Sequence, residues 1–463
     1  MARSCFDFAS CLLACLGIAL GSCGRTPLRD SPVTTSGGVG GASASSATSG
    51  AGGAGAGGAG TGGAGGAGGL LCNALSFSGP PIIDLVVALG HEERRPILVT
   101  EDGGARAAVV FALEPIESPG VPFPIGHTAF APWGEWPSTI GQGHFAASIG
   151  GRRFAATGGD GGFALLLPVG GGPNPGVYFA PSVAPETDYS PIPDAFVVTT
   201  EPMSRPAFVA RGASGHLAGS LHDAGGFLQL EINFITPEGS VFGASLASGC
   251  ATSPMVTGAV PSGDGFLVAF SSGRPFGTCF NDDGIPGPPT ELQVAWMDGN
   301  GTIKPGAVLP GIEPIFGAQI VARSDGAWLV WQHDGSTSEV SPPILAVRLD
   351  ATGQLASDIF EVVPTGASSA RPFAADRLGD KLVVAWVDAI DPSAPSLIVQ
   401  VFDEAGLLTG GASLSTAPGF FFDDQLAIMG SPAGNQVLLA YASDPGDGLR
   451  RIHVARLDCV IGE

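Results

Sequence analysis

The sequence predicts an all-β fold made of repeated four-stranded units. The chain has 463 residues, of which 73 are glycine, 39 are proline and only 13% are charged. Such a composition is poor in helix formers and rich in turn formers. From residue 70 onward, short runs of Val, Leu, Ile and Phe alternate with turns that carry Gly or Asp. Apolar runs bounded by turn residues are typical of β-strands.

A repeat of about 55 residues organises these runs. The clearest copy reads GAQIVARSD, AWLVWQHD, ILAVRLDATG and LASDIFEVV, and six further copies align with it. Their second strands centre near residues 98, 155, 219, 268, 329, 384 and 439. Four-stranded units at this spacing are typical of β-propeller blades. We therefore predict a seven-bladed β-propeller, with four-stranded antiparallel blades, over residues 70–463.

The turns and two resemblances support the same fold. The third and fourth strands of the best copies are joined by turns that end in Gly, namely Thr236–Gly239, Asp298–Gly301, Asp350–Gly353 and Asp403–Gly406. Gly at this constant offset predicts hairpins whose last turn residue needs a positive φ. The later copies resemble the degenerate propeller repeats of exported bacterial proteins, and Ser324–Trp328 faintly resembles the Asp box of sialidases. These resemblances imply the fold and no catalytic residue.

The N-terminus has the features of an export signal. Arg3 precedes an apolar run, Phe8–Leu20, which is too short to span a bilayer because a spanning helix needs ~20 residues. Leu20-Gly21-Ser22-Cys23 resembles the lipobox of bacterial lipoproteins. The resemblance implies a signal peptide over residues 1–22, acylation of Cys23 and, because Gly24 is not Asp, anchoring in the outer membrane. The alternative is an ordinary secretory signal in which Cys23 is incidental.

Residues 23–69 are expected to be the lipidated Cys followed by a disordered tether. The stretch GAGGAGAGGAGTGGAGGAGG has no apolar periodicity and cannot bury a core. A Gly-rich coil of this length spans roughly 35–40 Å r.m.s.. A phosphate-loop interpretation fails because no strand precedes the glycines and no helix follows them.

Four cysteines, Cys72, Cys250, Cys279 and Cys459, lie beyond Cys23. In an exported domain they most simply form two disulfides, with three possible connectivities. The last repeat has only three strands, so residues 70–77 are expected to supply its fourth. This closure places Cys72 beside Cys459 on the face with the turns after first and third strands, here called the bottom face. Cys250 and Cys279 fall on the opposite, top face, so the topology predicts the pairs Cys72–Cys459 and Cys250–Cys279.

Aspartates are expected to end most second strands, on the top face near the channel. There are six of them, Asp102, Asp160, Asp223, Asp334, Asp388 and Asp444, whereas blade four has a long loop with Asp282 and Asp283 instead. Aspartate in such positions commonly accepts backbone N–H bonds within a turn. The alternative is an acidic ring that holds a cation such as Ca²⁺, which prefers six to eight oxygen ligands. No other cofactor is expected.

Two histidines and two tryptophans are further candidates. His222 and His333 directly precede strand-end aspartates and could act as a catalytic base. No G-x-S-x-G elbow, reactive-Cys context or H-E-x-x-H accompanies them, so catalysis is not favoured. Trp133 and Trp136 are either core residues, which is the favoured interpretation, or exposed aromatics for a sugar or a ligand protein.

The net charge of −22 disfavours nucleic acid and anionic lipid as partners. We expect a monomeric, exported protein, anchored in the membrane through its lipid, that binds a protein or glycan ligand on the top face. The connections around residues 271–290, 388–396 and 443–450 would form the binding surface. A hydrolase or lyase acting in the channel and a structural envelope protein are the open alternatives, because propellers host all three roles.

Overall fold

The computed structural model describes most of the repeat region. The described residues are 72, 74–79, 91–101, 104–115, 125–136, 141–145, 154–159, 162–169, 176–184, 195–200, 205–223, 228–249, 256–272, 291–310, 315–333, 342–364, 372–388, 395–415, 426–444 and 449–460. The predicted signal peptide, Cys23, the tether, the pair Cys250–Cys279, and Asp102, Asp160, Asp282, Asp283 and Asp334 lie outside them.

Within these ranges 28 strands form seven four-stranded antiparallel blades arranged in a ring, so the predicted β-propeller is confirmed. Blade 1 contains β2 (His91–Glu101), β3 (Arg106–Pro115), β4 (Ile125–Pro132) and β5 (Gly141–Phe145). Blade 2 contains β6 (Ala155–Gly159), β7 (Gly162–Val169), β8 (Gly176–Val183) and β9 (Phe196–Thr199). Blade 3 contains β10 (Arg205–Gly212), β11 (Gly215–Asp223), β12 (Leu228–Ile235) and β13 (Val241–Gly249). Blade 4 contains β14 (Val256–Ser262), β15 (Gly265–Ser272), β16 (Glu291–Asp298) and β17 (Ile303–Pro310). Blade 5 contains β18 (Ile315–Arg323), β19 (Gly326–His333), β20 (Ile344–Asp350) and β21 (Phe360–Val363). Blade 6 contains β22 (Phe373–Leu378), β23 (Lys381–Asp388), β24 (Ser396–Phe402) and β25 (Leu408–Ser415). Blade 7 contains β26 (Leu426–Gly430), β27 (Gln436–Ser443), β28 (Arg451–Val460) and β1 (Ala74–Phe77).

The ring closes in two ways. The first strands of consecutive blades contact one another all the way round, from β2 through β6, β10, β14, β18 and β22 to β26 and back to β2. In blade 7 the outermost strand is β1, which pairs antiparallel with β28 in the register Leu75↔Cys459. A disulfide joins Cys72 to Cys459, with 5.2 Å between the two Cα atoms. The predicted closure and the predicted Cys72–Cys459 bridge are therefore confirmed.

The core lies between the blades, and this explains the composition of the second strands. Along β23, Leu382 and Val384 pack with residues of blade 5, whereas Val383 and Val387 pack with residues of blade 7. Because successive side chains of a strand point to opposite faces, a strand between two neighbours must be apolar on both. The result is an uninterrupted buried run, Leu382–Val387.

That rule corrects the strand assignment in blades 1 and 2. The segments around residues 98 and 155 are first strands, β2 and β6, and the second strands are β3 and β7. Residues 107–113 and 162–168 are the buried apolar runs of these blades. Asp102 and Asp160 therefore follow first strands in the chain, and the prediction that they end second strands is wrong. Both repeats are degenerate, and the continuous apolar run was the signal that identifies their second strands.

The turns between third and fourth strands share one geometry. In the turn Asp350–Gly353, one carboxylate oxygen of Asp350 accepts the backbone N–H groups of Thr352 at 2.8 Å and Gln354 at 3.0 Å. Asp298 and Asp403 accept the equivalent pairs, and the Thr236 hydroxyl accepts the N–H of Ser240 at 3.2 Å. The closing glycines have φ between 79° and 84°, as the sequence predicts. The carboxylates of Asp298, Asp350 and Asp403 therefore accept hydrogen bonds from the backbone of their own turns.

Candidate functional site

The candidate site on the top face is built by the ends of the second strands. Asp223 and Asp388 are the last residues of β11 and β23, and Asp444 directly follows β27. Asp388 and Asp444 are each partly buried and each interacts with a neighbouring group. With Asp334, which follows β19 in the chain, four aspartates remain at this position, in blades 3, 5, 6 and 7.

This arrangement weakens the sequence argument for a closed acidic ring. Since Asp102 and Asp160 follow first strands, blades 1 and 2 contribute no aspartate to the top ends of the second strands. In the described part of the chain, no three His, Cys, Asp or Glu side chains come together as a group that could hold a metal ion. Calcium binding by the remaining aspartates stays a prediction of the sequence.

The two candidate histidines lie where the strands end. His333 is the last residue of β19, and His222 is the penultimate residue of β11. The Nδ1 atom of His222 lies 3.9 Å from the Oε2 atom of Glu231 on β12, beyond hydrogen-bond distance. A base with an orienting carboxylate also needs a nucleophile or a held water within reach. Of these partners, the described residues give His222 only the carboxylate of Glu231.

A serine–histidine pair that the sequence analysis did not single out lies in blade 7. The hydroxyl of Ser443 and Nε2 of His453 are 2.7 Å apart, and the ring of Tyr441 stacks on that of His453 at 5.0 Å. Ser443 is 1% exposed and His453 is 5% exposed. Because a substrate cannot reach a hydroxyl that is covered in this way, we assign the pair to the packing of β27 on β28. Burial also raises the pKa of Tyr441.

Trp133 and Trp136 belong to the core and are not a binding surface. They are 7% and 1% exposed and pack in one cluster between blades 7 and 1. The indole N–H of Trp136 donates to the carbonyl of Ala131 at 3.1 Å. Arg456 of β28 donates to the carbonyls of Gly134 and Trp136, both at 2.7 Å. The favoured sequence interpretation holds, because rings buried this deeply have no face on which a sugar could stack.

Polar side chains join the first strands around the channel. The amide of Gln319 on β18 donates to the carbonyl of Phe373 at 3.3 Å and accepts the N–H of Ala375 at 2.7 Å, both on β22. One blade further on, a carboxylate oxygen of Asp376 accepts the N–H of Gly430 at 2.8 Å. Burial raises the pKa of Asp376 to about 6, although the N–H of Gly430 opposes the shift. These contacts satisfy backbone groups at the inner edges of blades 6 and 7.

His216 makes the stability of the propeller sensitive to acid. Burial, with the charge of Arg211 as a second cause, lowers the pKa of His216 to about 4, and its ring lies 5.0 Å from that of Phe179. As the pH falls from 6.5 to 4, the unfolded chain takes up a proton that the folded chain excludes. The free energy of unfolding should therefore fall across this window by on the order of 2–3 kcal/mol from this residue alone.

Replacing His216→Phe keeps an aromatic ring in contact with Phe179 and removes the group that takes up the proton. Urea unfolding of both proteins at several pH values between 7 and 4 should show a stability difference in favour of the variant that grows as the pH falls. Asp376 titrates in the same window with the opposite sign but is present in both proteins, so it cancels in the difference. Parallel pH curves for the two proteins would contradict the assignment.

The chain resembles several solved structures at low sequence identity. No protein-family model and no curated protein matches the sequence. Among solved structures, a protein of unknown function from Dyadobacter fermentans is 11% identical with a TM-score of 0.47, and the match covers 83% of this chain and 99% of that one. The hemagglutinin-neuraminidase ectodomain of parainfluenza virus 5 is 6% identical with a TM-score of 0.43, covering 85% of this chain and 88% of that one. A subtype N10 neuraminidase-like protein of A/little yellow-shouldered bat is 11% identical with a TM-score of 0.41, covering 74% and 99%. At these scores the matches carry no argument about activity.

Proposed function

We propose that this protein is a lipid-anchored protein of the cell envelope whose propeller binds a protein or glycan ligand on its top face. The observation that carries the proposal is the contrast, in blades 4 to 6, between short connections from first to second strands on the bottom face and longer connections from second to third strands on the top face. On the bottom face, β14 joins β15, β18 joins β19 and β22 joins β23 through two-residue turns. On the top face, the connections after β15, β19 and β23 span residues 273–290, 334–343 and 389–395. Long connections on a rigid scaffold are where binding residues concentrate.

The chemistry of the bottom face supports the same choice. Its turn carboxylates accept backbone N–H groups, and its arginines are engaged by neighbours. Arg323 donates to Asp325 at 2.9 Å and to Glu404 of the next blade at 3.2 Å, and its guanidinium lies 4.8 Å from the Trp328 ring centroid. Polar groups that are satisfied internally have little left to offer to a polar ligand.

The lipid anchor rests on the lipobox resemblance of Leu20–Cys23. Among the described residues, no helix is long and apolar enough to cross a membrane. Several acyl chains on Cys23 would hold the chain at the membrane, since each buried CH₂ contributes ~0.8 kcal/mol. The Gly-rich tether would let the propeller reach a ligand at some distance from the lipid.

Metabolic labelling tests the anchor. Cells that produce the full chain with labelled palmitate should incorporate the label into it, and Cys23→Ser should abolish incorporation and shift the chain out of the outer-membrane fraction. Cys15→Ser is the matched control, because it removes a cysteine from the signal peptide and leaves the lipobox intact. Equal labelling of the wild type and Cys23→Ser would contradict acylation at this residue.

Photo-crosslinking on intact cells tests the binding face. A photoreactive amino acid at Asn281 or Ser336, on top-face connections, should capture a discrete protein, whereas the same group at Asn300 or Thr352, on bottom-face turns, should not. A printed glycan array probed with the full chain covers the glycan arm, with Asp282→Ala and Asp283→Ala expected to weaken retention. Capture from the bottom positions alone, with no glycan retained, would overturn the proposal.

A further inference from the structure

Exposed aliphatic side chains collect on one part of the bottom face. Leu355, Ile359, Leu407, Leu408 and Val460 are between 47% and 65% exposed. Leu355, Leu407, Leu408 and Val460 lie in the lower halves of blades 5, 6 and 7, with Leu355 opposite Leu349 and Val460 at the end of β28, whereas Ile359 lies near mid-height of blade 5, directly before β21. We call these five residues the lower-rim patch. Contiguous exposed apolar surface of this kind usually marks an interaction site.

The lower-rim patch continues across the blade boundaries. A Cβ atom on Gly406 would lie 2.6 Å from the ring of Phe360, so the turn before Leu407 packs directly on blade 5 beside Ile359. Phe360 also contacts Phe402 across the same boundary, with 6.1 Å between the ring centroids. On the other side, β25 of blade 6 contacts β1 of blade 7.

The position at which the N-terminal chain reaches the propeller indicates what covers the patch. Residues 1–71 precede Cys72, which is bonded to Cys459 at the bottom of blade 7, next to Val460. The Nζ atom of Lys381, on blade 6, donates to the carbonyl of Cys72 at 3.0 Å. Cys72, the first described residue of the chain, therefore lies within the arc of blades that carries the patch.

We infer that the lower-rim patch docks the propeller edge-on against the membrane in which the chain is anchored. This inference rests on the lipid anchor proposed above. The Gly-rich tether expected from the sequence, with a span of roughly 35–40 Å r.m.s., would hold the patch near the lipid at an effective concentration on the order of millimolar, so that a weak apolar contact would be enough for docking. The surface is a zwitterionic one, because a net charge of −22 disfavours anionic headgroups.

Fluorescence of the full lipidated chain in phosphatidylcholine vesicles tests the inference. An environment-sensitive amino acid replaces Ala405, which is exposed in the turn before the patch, or Thr200, which is exposed after β9 on the top face. Lipid-borne quencher should reduce the signal at position 405 several-fold more than at position 200. Adding anionic lipid should lessen the difference.

A matched pair of double variants assigns the effect to the patch. Leu407→Glu with Leu408→Glu should abolish the extra quenching at position 405. Val197→Glu with Val308→Glu should leave it unchanged, because these valines are 39% and 52% exposed but lie in the upper halves of blades 2 and 4. All four side chains are exposed, and a thermal melt of each variant checks that the fold is kept.

Three outcomes would overturn the inference and are distinguishable. If the chain floats with the vesicles but positions 405 and 200 are quenched equally, docking is wrong and the anchor stands. If the chain stays in the soluble fraction, the anchor fails and docking fails with it. If sedimentation without vesicles shows a dimer that the Leu407 and Leu408 double variant dissociates, the patch belongs to a second copy of the chain.

Discussion

Removing the disulfide by the double change Cys72→Ser and Cys459→Ser is expected to lower the free energy of unfolding by about 2–5 kcal/mol. The bridge joins residues separated by 387 positions, so it excludes a large number of unfolded conformations. It also holds β1, which supplies only four residues to blade 7. A short strand that must return from the far end of the chain depends strongly on such a tie.

Urea unfolding under non-reducing conditions measures this effect. The wild type with reductant should approach the double variant, which separates loss of the bridge from an effect of the serines. Lys381→Met is the local control, because it removes the bond from Nζ to the Cys72 carbonyl and keeps the bridge, for an expected loss of about 1 kcal/mol. If the double variant unfolds at the wild-type midpoint, the bridge does not stabilise the closure.

Changing Gly430→Ala should destabilise the propeller by about 3–5 kcal/mol, although Ala normally suits a strand no worse than Gly. A Cβ atom at this position would lie 1.8 Å from the carbonyl oxygen of Arg377 and 2.9 Å from its carbonyl carbon. These are backbone atoms of β22, so no rotamer change can make room. The first strands of blades 6 and 7 would have to separate, and the bond from Gly430 N–H to Asp376 would be lost.

Gly134→Ala is the matched control for this change, since a Cβ atom there meets nothing within 4 Å. Thermal and urea unfolding of both variants should show a large loss for Gly430→Ala and a change within about 0.5 kcal/mol for Gly134→Ala. If Gly430→Ala is as stable as the wild type, the approach of β22 to β26 is looser than the structure indicates.

The sequence predicted the parts of the fold that repeat. The turns Asp298–Gly301, Asp350–Gly353 and Asp403–Gly406 were recognisable because each depends on its own few residues: a carboxylate that accepts two N–H groups and a glycine with positive φ. Counting strands against repeats then predicted that β1 completes blade 7, and the position of Cys72 beside Cys459 followed from that closure.

Blades 1 and 2 were less predictable because their repeats are degenerate and because a short part of each first-strand segment, Ile97–Val99 in β2 and Phe154–Ala156 at the start of β6, is also apolar. The distinction depends on what lies on either side of a strand in space. A second strand is covered on both faces by neighbouring blades, which requires a continuous apolar run such as residues 107–113, whereas a short apolar run does not show whether one face or both are covered. For the same reason the sequence did not show that Asp102 and Asp160 follow first strands. Of the six aspartates predicted to end second strands, four remain at that position.

The sequence by itself determined the all-β class, the number of blades and the hairpin turns, because these features arise from local patterns that repeat along the chain. The bridge that closes the ring followed indirectly, from counting strands against repeats. Only the tertiary structure decided which acids share a face, that Trp136 is buried beneath Arg456, and that Gly430 must lack a side chain. It also brought Leu355, Leu407 and Val460 to the bottom rim of three consecutive blades, the last of which holds Cys72. The physical reason is that these relations join blades that are distant in sequence, and the closed ring alone brings them into contact.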